Sequence, residues 1–257
     1  DGYSDRDSGM DTRLKPQIVV PEYGKHNEDL EKTAVRLKED SSWKKLDTIM
    51  LFPAKQQIPA KIVHSWMNLY APPNNGFVRM PTVAALNMEV GEAFSQSIEW
   101  ILSQPNLANF KYLLTIEHDN APPPDGLVKL LAQMEAHPEY ECIGGLYFTK
   151  GPGGVAQIWG DPRDPVNNFR PQIPRDNELV ECCGTGMGFN LWRLDLFRDP
   201  ELPKPWFKTQ TEGGVSTQDL YFWSRARPLG YRCAVDCSVQ VGHYDLEGKF
   251  GPPDTRW

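Results

Sequence analysis

The chain has little of what membrane-spanning or DNA-coating proteins need. Its purely apolar stretches, such as Tyr112-Leu113-Leu114, are short, whereas a transmembrane helix takes about 20 apolar residues. Basic charge is also in deficit, because 27 Lys and Arg stand against 34 Asp and Glu, and no block of five like charges occurs. The sequence therefore predicts no membrane segment and no basic face that coats DNA.

The sequence also predicts no export signal and no cysteine motif. The first seven residues have neither a basic start nor an apolar run, so they do not resemble a secretory signal. The five cysteines are an odd number and include no C-x-x-C pair for zinc or redox chemistry. Reduced thiols are typical of the cytoplasm, so we expect a cytoplasmic protein.

The composition is that of an ordinary globular protein. Hydrophobic residues make up 40% and charged residues 24% of the 257 residues, which excludes a disordered chain or a disulfide scaffold. Residues 1–46 are polar, with one stretch of helical spacing at Asn27 to Lys38. We expect an N-terminal arm with a short helix over 1–46 and a single domain over 47–257.

Strands and helices are predicted to alternate in the domain. Three strand–helix units come first, and Cys142 to Phe148 makes a fourth strand. The predicted strands of the three units are Thr48 to Phe52, Val78 to Val83 and Lys111 to Ile116, and the helices are Ile58 to Leu69, Val90 to Leu102 and Gly126 to Glu135. Such alternation predicts an α/β fold with a parallel sheet covered by helices.

An acidic triplet, Glu117-His118-Asp119, follows the third strand. Ligands of open α/β sheets bind outside the carboxyl ends of the strands, so these side chains are expected to face a crevice. Two carboxylates one residue apart suit Mg²⁺ or Mn²⁺. The triplet alone is also typical of a solvated turn.

Three further features have both a functional and a structural interpretation. The glycine-rich run 182–189 lacks the Lys of a P-loop and has Phe189 where a dinucleotide fingerprint needs glycine, which leaves close approach to a ligand or a tight turn. Asp219 lies in the first turn of a predicted helix, where the helix dipole alone favours an acid. His243 is either a metal ligand or structural.

Taken in order, these pieces resemble the glycosyltransferases of the GT-A fold, close to the inverting family 2 type. Residues 112–119 followed by three prolines are similar to that family's strand, D-x-D motif and helix entry, with Glu117 in place of the first Asp. Residues 184–189 with Arg193 resemble its glycine segment. Pro205-Trp206-Phe207, residues 218–223 and 241–243 resemble its terminal pattern, in which Gln218-Asp219 replaces the usual E-D.

The resemblance implies a Rossmann-like, mostly parallel sheet flanked by helices and a metal-dependent sugar transfer from a nucleotide sugar, expected to be a UDP-sugar, to an acceptor hydroxyl. It implies Mn²⁺ or Mg²⁺ held by Asp119, His243 and Glu117, with Asp219 as the base of an inverting displacement. Contacts with the donor or acceptor are implied for Pro53, Ala54, Gly184, Thr185, Gly186, Trp206, Phe207 and Gln218.

The role of three aromatic side chains and the identity of the acceptor each allow more than one interpretation. Trp206, Phe207 and Trp223 suit either a sugar-binding platform or an ordinary core. Residues 143–150 resemble phage-type enzymes that glycosylate hydroxymethylated pyrimidines in DNA, and four cations around the loop 151–175 could meet a phosphate backbone. These cations are Lys150, Arg163, Arg170 and Arg175. A glycan or protein acceptor, a nucleotidyltransferase and a catalytically silent sugar-binding module are the alternatives.

Overall fold

The computed structural model describes residues 47–72, 80–164, 169–210 and 217–246, together with Lys32, Val35, Thr255 and Arg256. Most of the predicted arm, 1–46, lies outside the described residues, so its boundary with the domain stays a prediction. Lys32 and Val35, within the predicted arm helix, are helical and exposed. Among the described residues, the helices are too short or too polar to cross a bilayer.

A seven-stranded sheet organises the domain, in the order β2-β1-β3-β9-β5-β10-β7. Five strands run in one direction, while β9 and β7 run against their neighbours. The seven are β1 Thr48–Ala54, β2 Thr82–Leu86, β3 Tyr112–Ile116, β5 Cys142–Leu146, β7 Leu179–Cys182, β9 Phe189–Arg193 and β10 Cys233–Gln240. The predicted α/β class with a mostly parallel sheet is confirmed.

Helices cover both faces of this sheet. They are α1 Ala60–Met67, α2 Val90–Ser103, α3 Gly126–Ala136 and α4 Gln218–Ala226, with 3₁₀ helices at Leu194–Arg198 and Arg227–Leu229. Successive strand residues point to opposite faces, so Leu113 packs in the core under α2 and α4, whereas Leu114 packs in the core under α3. All five residues of β3 are buried, which explains its continuous apolar run.

Two small sheets are attached to the large one. One orders β12 (Thr255–Arg256), β11 (Gly242–Tyr244) and β4 (Asn120–Ala121), and the other pairs β6 (Ile158–Trp159) with β8 (Gly184–Thr185). In the first, β11 runs antiparallel to β4, and His243 lies opposite Asn120. This pairing brings a strand from the end of the domain to the residue that follows the acidic triplet.

Two predicted elements have shifted bounds. The second strand begins at Thr82, after Pro81, because proline has no N–H for a sheet ladder, although the Pro81 carbonyl still accepts from Met50 N. The last strand of the large sheet, for which the sequence predicts Tyr231 to Val235, begins at Cys233 and continues to Gln240. Gly230 ends the preceding 3₁₀ turn at φ 92°, which glycine adopts without strain.

Candidate active site

The acidic triplet forms a tight turn at the carboxyl end of β3. Glu117 N donates to Gly188 O at 3.2 Å, and Asn120 N donates to Glu117 O at 3.0 Å. Helix α1 packs against the same turn, where Trp66 Nε1 donates to Asn120 O at 2.9 Å. The predicted location at a strand end is therefore the observed one, and the turn is fixed by its own backbone and by a neighbouring helix.

Asp119 is at the centre of a compact polar cluster. Its Oδ2 accepts from Lys150 Nζ at 2.6 Å and lies 3.5 Å from His243 Nε2, while its backbone O accepts from Tyr244 N at 2.7 Å. Burial by itself would raise the pKa of Asp119, but His243 and Lys150 outweigh it and hold that pKa well below its ordinary value. Asp119 is therefore an anion at neutral pH.

The hydrogen bonding of His243 fixes which nitrogen faces Asp119. His243 Nδ1 lies 2.7 Å from Phe148 O, and a carbonyl oxygen can only accept, so Nδ1 carries the hydrogen. Nε2 then faces the Asp119 carboxylate, where it donates a hydrogen bond when it carries a proton and offers a lone pair to a cation when it does not. The rings of Tyr147 and His243 pack in a T-shaped arrangement with centroids 5.2 Å apart, which holds the imidazole in place.

This donor set fits a divalent cation. A carboxylate oxygen and an imidazole nitrogen that converge can share a proton or a metal ion, and a backbone carbonyl on the second imidazole nitrogen is typical of metal-binding histidines. Mg²⁺ and Mn²⁺ are commonly held by one or two protein groups, with phosphate and water as the other ligands. Asp119 and His243 are the residues that would hold the ion.

Glu117 is engaged elsewhere in the same cluster. Its Oε1 accepts from Gln218 Nε2 at 3.1 Å, which joins two residues that the sequence analysis assigned to different roles. Burial, followed by the charges of Asp119 and Asp219, raises the pKa of Glu117 to about 8. Among the described residues no three His, Cys, Asp or Glu side chains are grouped as a metal site, so Glu117 as a third ligand stays a prediction.

Asp219 lies at the start of α4 and is only 6% exposed. Its Oδ1 accepts from Leu220 N at 2.9 Å. Burial raises the pKa of Asp219 above its ordinary value, although hydrogen bonds from Thr217 and the backbone oppose that rise. A buried carboxylate with a raised pKa is a better base than a free one.

The predicted donor-binding residues of β1 are its last two residues. Pro53 and Ala54 end β1 and pair with Ala85 and Leu86 of β2. Because β1 is parallel to β3, its carboxyl end lies at the edge of the sheet that carries Glu117. Their contact with a donor stays a prediction.

The glycine-rich segment is packed against protein side chains. A Cβ added at Gly186 would overlap the Tyr147 hydroxyl and lie 2.8 Å from Gln157 Oε1, and one at Gly188 would lie 2.6 Å from Tyr147 Cζ. Gly188 N also donates to the Tyr147 hydroxyl at 2.9 Å. Neither a ligand nor a tight turn is needed to explain these glycines, because Tyr147, which the sequence analysis missed, requires them.

Gly184 and Thr185 are equally enclosed. Both are buried in β8, and a Cβ on Gly184 would lie 3.2 Å from Phe169 and Trp223. A donor or acceptor contact at these two residues and at Gly186 stays a prediction.

Trp206 and Phe207 belong to the aromatic core. They are 2% and 1% exposed, Phe207 stacks on Phe222 with centroids 4.8 Å apart, and Lys204 Nζ lies 4.8 Å from the centroid of the Trp206 ring. Trp223 stacks on Trp192 with centroids 5.6 Å apart. This burial favours the core alternative, and contact of Trp206 and Phe207 with a donor or acceptor stays a prediction.

Replacing Phe207 by Leu should lower the free energy of unfolding by about 1 to 3 kcal/mol, because the smaller side chain leaves part of a buried aromatic contact unfilled. Donor affinity should not change. Chemical denaturation and nucleotide-sugar titration measure the two quantities. A variant of full stability that binds donor poorly would restore the platform interpretation.

The cations around the 151–175 loop are largely neutralised. Lys150 pairs with Asp119 at 2.6 Å, Arg163 with Asp161 at 2.7 Å and Arg175 with Glu178 at 3.5 Å. From the sequence, Lys150 is only one of these loop cations, because its place beside Asp119 follows from the long-range arrangement of the strands. Pairing of this kind reduces the positive potential available to a phosphate backbone.

Comparison with known proteins identifies the type of fold. No protein-family model matches the chain. Macrocypin-1a of Macrolepiota procera is 26% identical over 128 residues, which cover 49% of this chain and 69% of that protein. A197 from STIV superposes with a TM-score of 0.54 at 15% identity, covering 77% of this chain and 85% of that one.

GalNAc-T7 in complex with UDP, GalNAc and Mn²⁺ superposes with a TM-score of 0.53 at 13% identity. The superposition covers 92% of this chain and 55% of that one, so this chain spans about half of the GalNAc-T7 structure. The fold is GT-A. The superposition supports the GT-A fold, but an identity this low does not extend to the reaction, which is argued from the site.

Proposed function

We propose that this protein is a metal-dependent glycosyltransferase that moves a sugar from a nucleotide-sugar donor to an acceptor hydroxyl. The observation that carries the proposal is the pair formed by Asp119 and His243, which the pairing of β4 with β11 assembles at the carboxyl end of β3. The GT-A fold and the buried carboxylate of Asp219 support the same reaction.

Each residue has a defined task in this mechanism. A divalent cation bound by Asp119 and His243 would stabilise the negative charge that develops on the departing diphosphate. Phe148 O holds the His243 hydrogen on Nδ1 and so keeps Nε2 available. Asp219 is the base of an inverting displacement: it takes the proton of the acceptor hydroxyl as that oxygen attacks the anomeric carbon.

The charge balance of the cluster suits an anionic donor. Lys150 neutralises Asp119, and the raised pKa of about 8 leaves Glu117 mostly protonated at neutral pH. Three ionised carboxylates together would repel a diphosphate, whereas this arrangement reduces that repulsion. We propose UDP as the nucleotide, since the GalNAc-T7 structure of the same fold contains UDP.

We propose both the chemical group of the acceptor and a specific candidate molecule. A hydroxyl group is required by the chemistry, and 5-hydroxymethylcytosine in phage DNA is a specific candidate that depends on the resemblance of residues 143–150. The three ion pairs of Lys150, Arg163 and Arg175 weigh against a DNA surface there. Glycan and protein hydroxyls are therefore tested beside hydroxymethylated DNA.

We expect purified protein with Mn²⁺ to release UDP from at least one UDP-sugar and to lose that activity when EDTA removes the metal. The experiment incubates the protein with a panel of nucleotide sugars, each with and without hydroxymethylated DNA, unmodified DNA and a mixture of glycans. Released UDP is measured by chromatography, and transfer is measured by mass spectrometry of the acceptor.

The products separate the alternatives. Release of pyrophosphate instead of a nucleoside diphosphate identifies a nucleotidyltransferase, because the donor is then cleaved between other atoms. Donor binding without any release identifies a silent sugar-binding module. Either result would replace the proposed function, while UDP release that depends on hydroxymethylated DNA would establish the acceptor as well.

A further inference from the structure

Lys150 contacts the same Asp119 oxygen, Oδ2, that a divalent cation would bind. Its ammonium lies 2.6 Å from Asp119 Oδ2, and His243 Nε2 approaches that same oxygen to 3.5 Å. A metal ion bound by Asp119 and His243 and an ammonium on the same oxygen would repel each other as like charges. Lys150 and the metal therefore exclude one another at full contact with Asp119.

The side chain of Lys150 is able to leave while its backbone stays. It is 25% exposed, and its four-carbon stem lets the ammonium turn toward solvent. The backbone on both sides is held in a narrow loop, where Thr149 N donates to Val155 O and Val155 N donates to the Thr149 hydroxyl, both at 2.9 Å. Displacement thus costs a side-chain rotation and the loss of one ion pair.

We propose that Lys150 competes with the divalent cation for Asp119. Lys150 neutralises Asp119 before metal binds and is displaced when metal binds. The inference rests on the proposed function, because it takes Asp119 and His243 as the metal-binding pair. Once displaced, Lys150 stays tethered beside the metal and needs a new anion, and the diphosphate of the donor is the anion that the reaction brings. Lys150 thereby makes metal binding alone weak and couples it to donor binding.

The test compares Mn²⁺ affinity in the absence of any donor, by isothermal titration. Lys150→Met removes the charge and keeps an unbranched side chain, so we expect Mn²⁺ to bind about tenfold more tightly than to the wild type. Lys150→Arg keeps a cation and should stay close to the wild type. Lys111→Met is the matched control for loss of a charge, since Lys111 pairs with Glu135 on an exposed surface, and it should not change the affinity.

A second measurement uses only the wild-type protein, so it does not depend on whether the variants fold. Acetylation of lysine amines, followed by mass spectrometry, reports how free each ammonium is. We expect Mn²⁺ to increase the labelling of Lys150 severalfold relative to Lys111, because displacement exposes the amine to solvent. Thermal melting confirms that the Lys150 variants are folded before titration.

The outcomes distinguish this inference from the proposed function. If the wild type binds Mn²⁺ but Lys150→Met binds it equally or more weakly, and labelling of Lys150 does not respond to Mn²⁺, the competition is wrong and the metal-dependent transferase stands. If neither protein binds Mn²⁺ at millimolar concentration, both the competition and the metal-binding role of Asp119 and His243 are overturned.

Discussion

Replacing Asp219 by Asn should lower the rate of sugar transfer about 1,000-fold, within the range by which general bases accelerate reactions. Asparagine keeps the size of the side chain and the oxygen that accepts from Leu220 N, so the start of α4 should be preserved. It cannot take the proton of the acceptor hydroxyl. Initial rates at saturating donor and acceptor, together with UDP binding in the presence of Mn²⁺, measure the effect.

The control is the same substitution at an exposed aspartate. Asp195 pairs with Arg198 on the surface, and its side chain is 90% exposed, so Asp195→Asn should transfer sugar at the wild-type rate. UDP affinity should be nearly unchanged in both variants, because Asp219 acts on the acceptor side. A fully active Asp219→Asn protein would remove Asp219 from the base role, and a variant that loses UDP binding would show a structural role instead.

The sequence predicts the parts of this site that local patterns encode. The apolar run of β3 followed by Glu117 and Asp119 is a pattern of neighbouring residues, and the structure places it at a strand end as expected. Asp219 at the start of a helix is equally local. Periodicity therefore locates the acidic residues and assigns each to a helix or strand.

The partners of these acids could not be predicted in the same way. Lys150 reaches Asp119 because β5 lies beyond β9 in the sheet order, and His243 reaches it because β11 pairs with β4. Both contacts depend on tertiary arrangement and not on spacing along the chain. The family resemblance named His243, whereas nothing near Lys150 distinguishes it from the other loop cations.

Burial is the second property that the sequence left open. Trp206 and Phe207 have side chains that suit a sugar-binding surface or a core, and it is their contacts with Phe197 and Phe222 that favour the core. The glycines at 186 and 188 are similar, because the side chain that requires them, Tyr147, is distant in the sequence.

Replacing Gly186 by Ala should lower the free energy of unfolding by about 2 to 3 kcal/mol, the upper part of the range for overpacked cores. The added methyl group would overlap the Tyr147 hydroxyl and lie 2.8 Å from Gln157 Oε1. Tyr147 in turn packs on His243, so we also expect weaker Mn²⁺ binding. Urea denaturation and metal titration measure the two effects.

A double-mutant cycle with Tyr147→Phe tests the cause of that loss. Tyr147→Phe alone should cost about 1 kcal/mol, because Gly188 N loses the hydroxyl that it bonds at 2.9 Å. In the double variant the methyl group of Ala meets no hydroxyl, so the combined loss should be smaller than the sum by about 1 kcal/mol. Additive losses would mean that the Tyr147 hydroxyl does not dictate glycine at position 186. A combined loss well below the sum would show that the Tyr147 hydroxyl and a methyl group at position 186 compete for the same space, which is why the chain has glycine there.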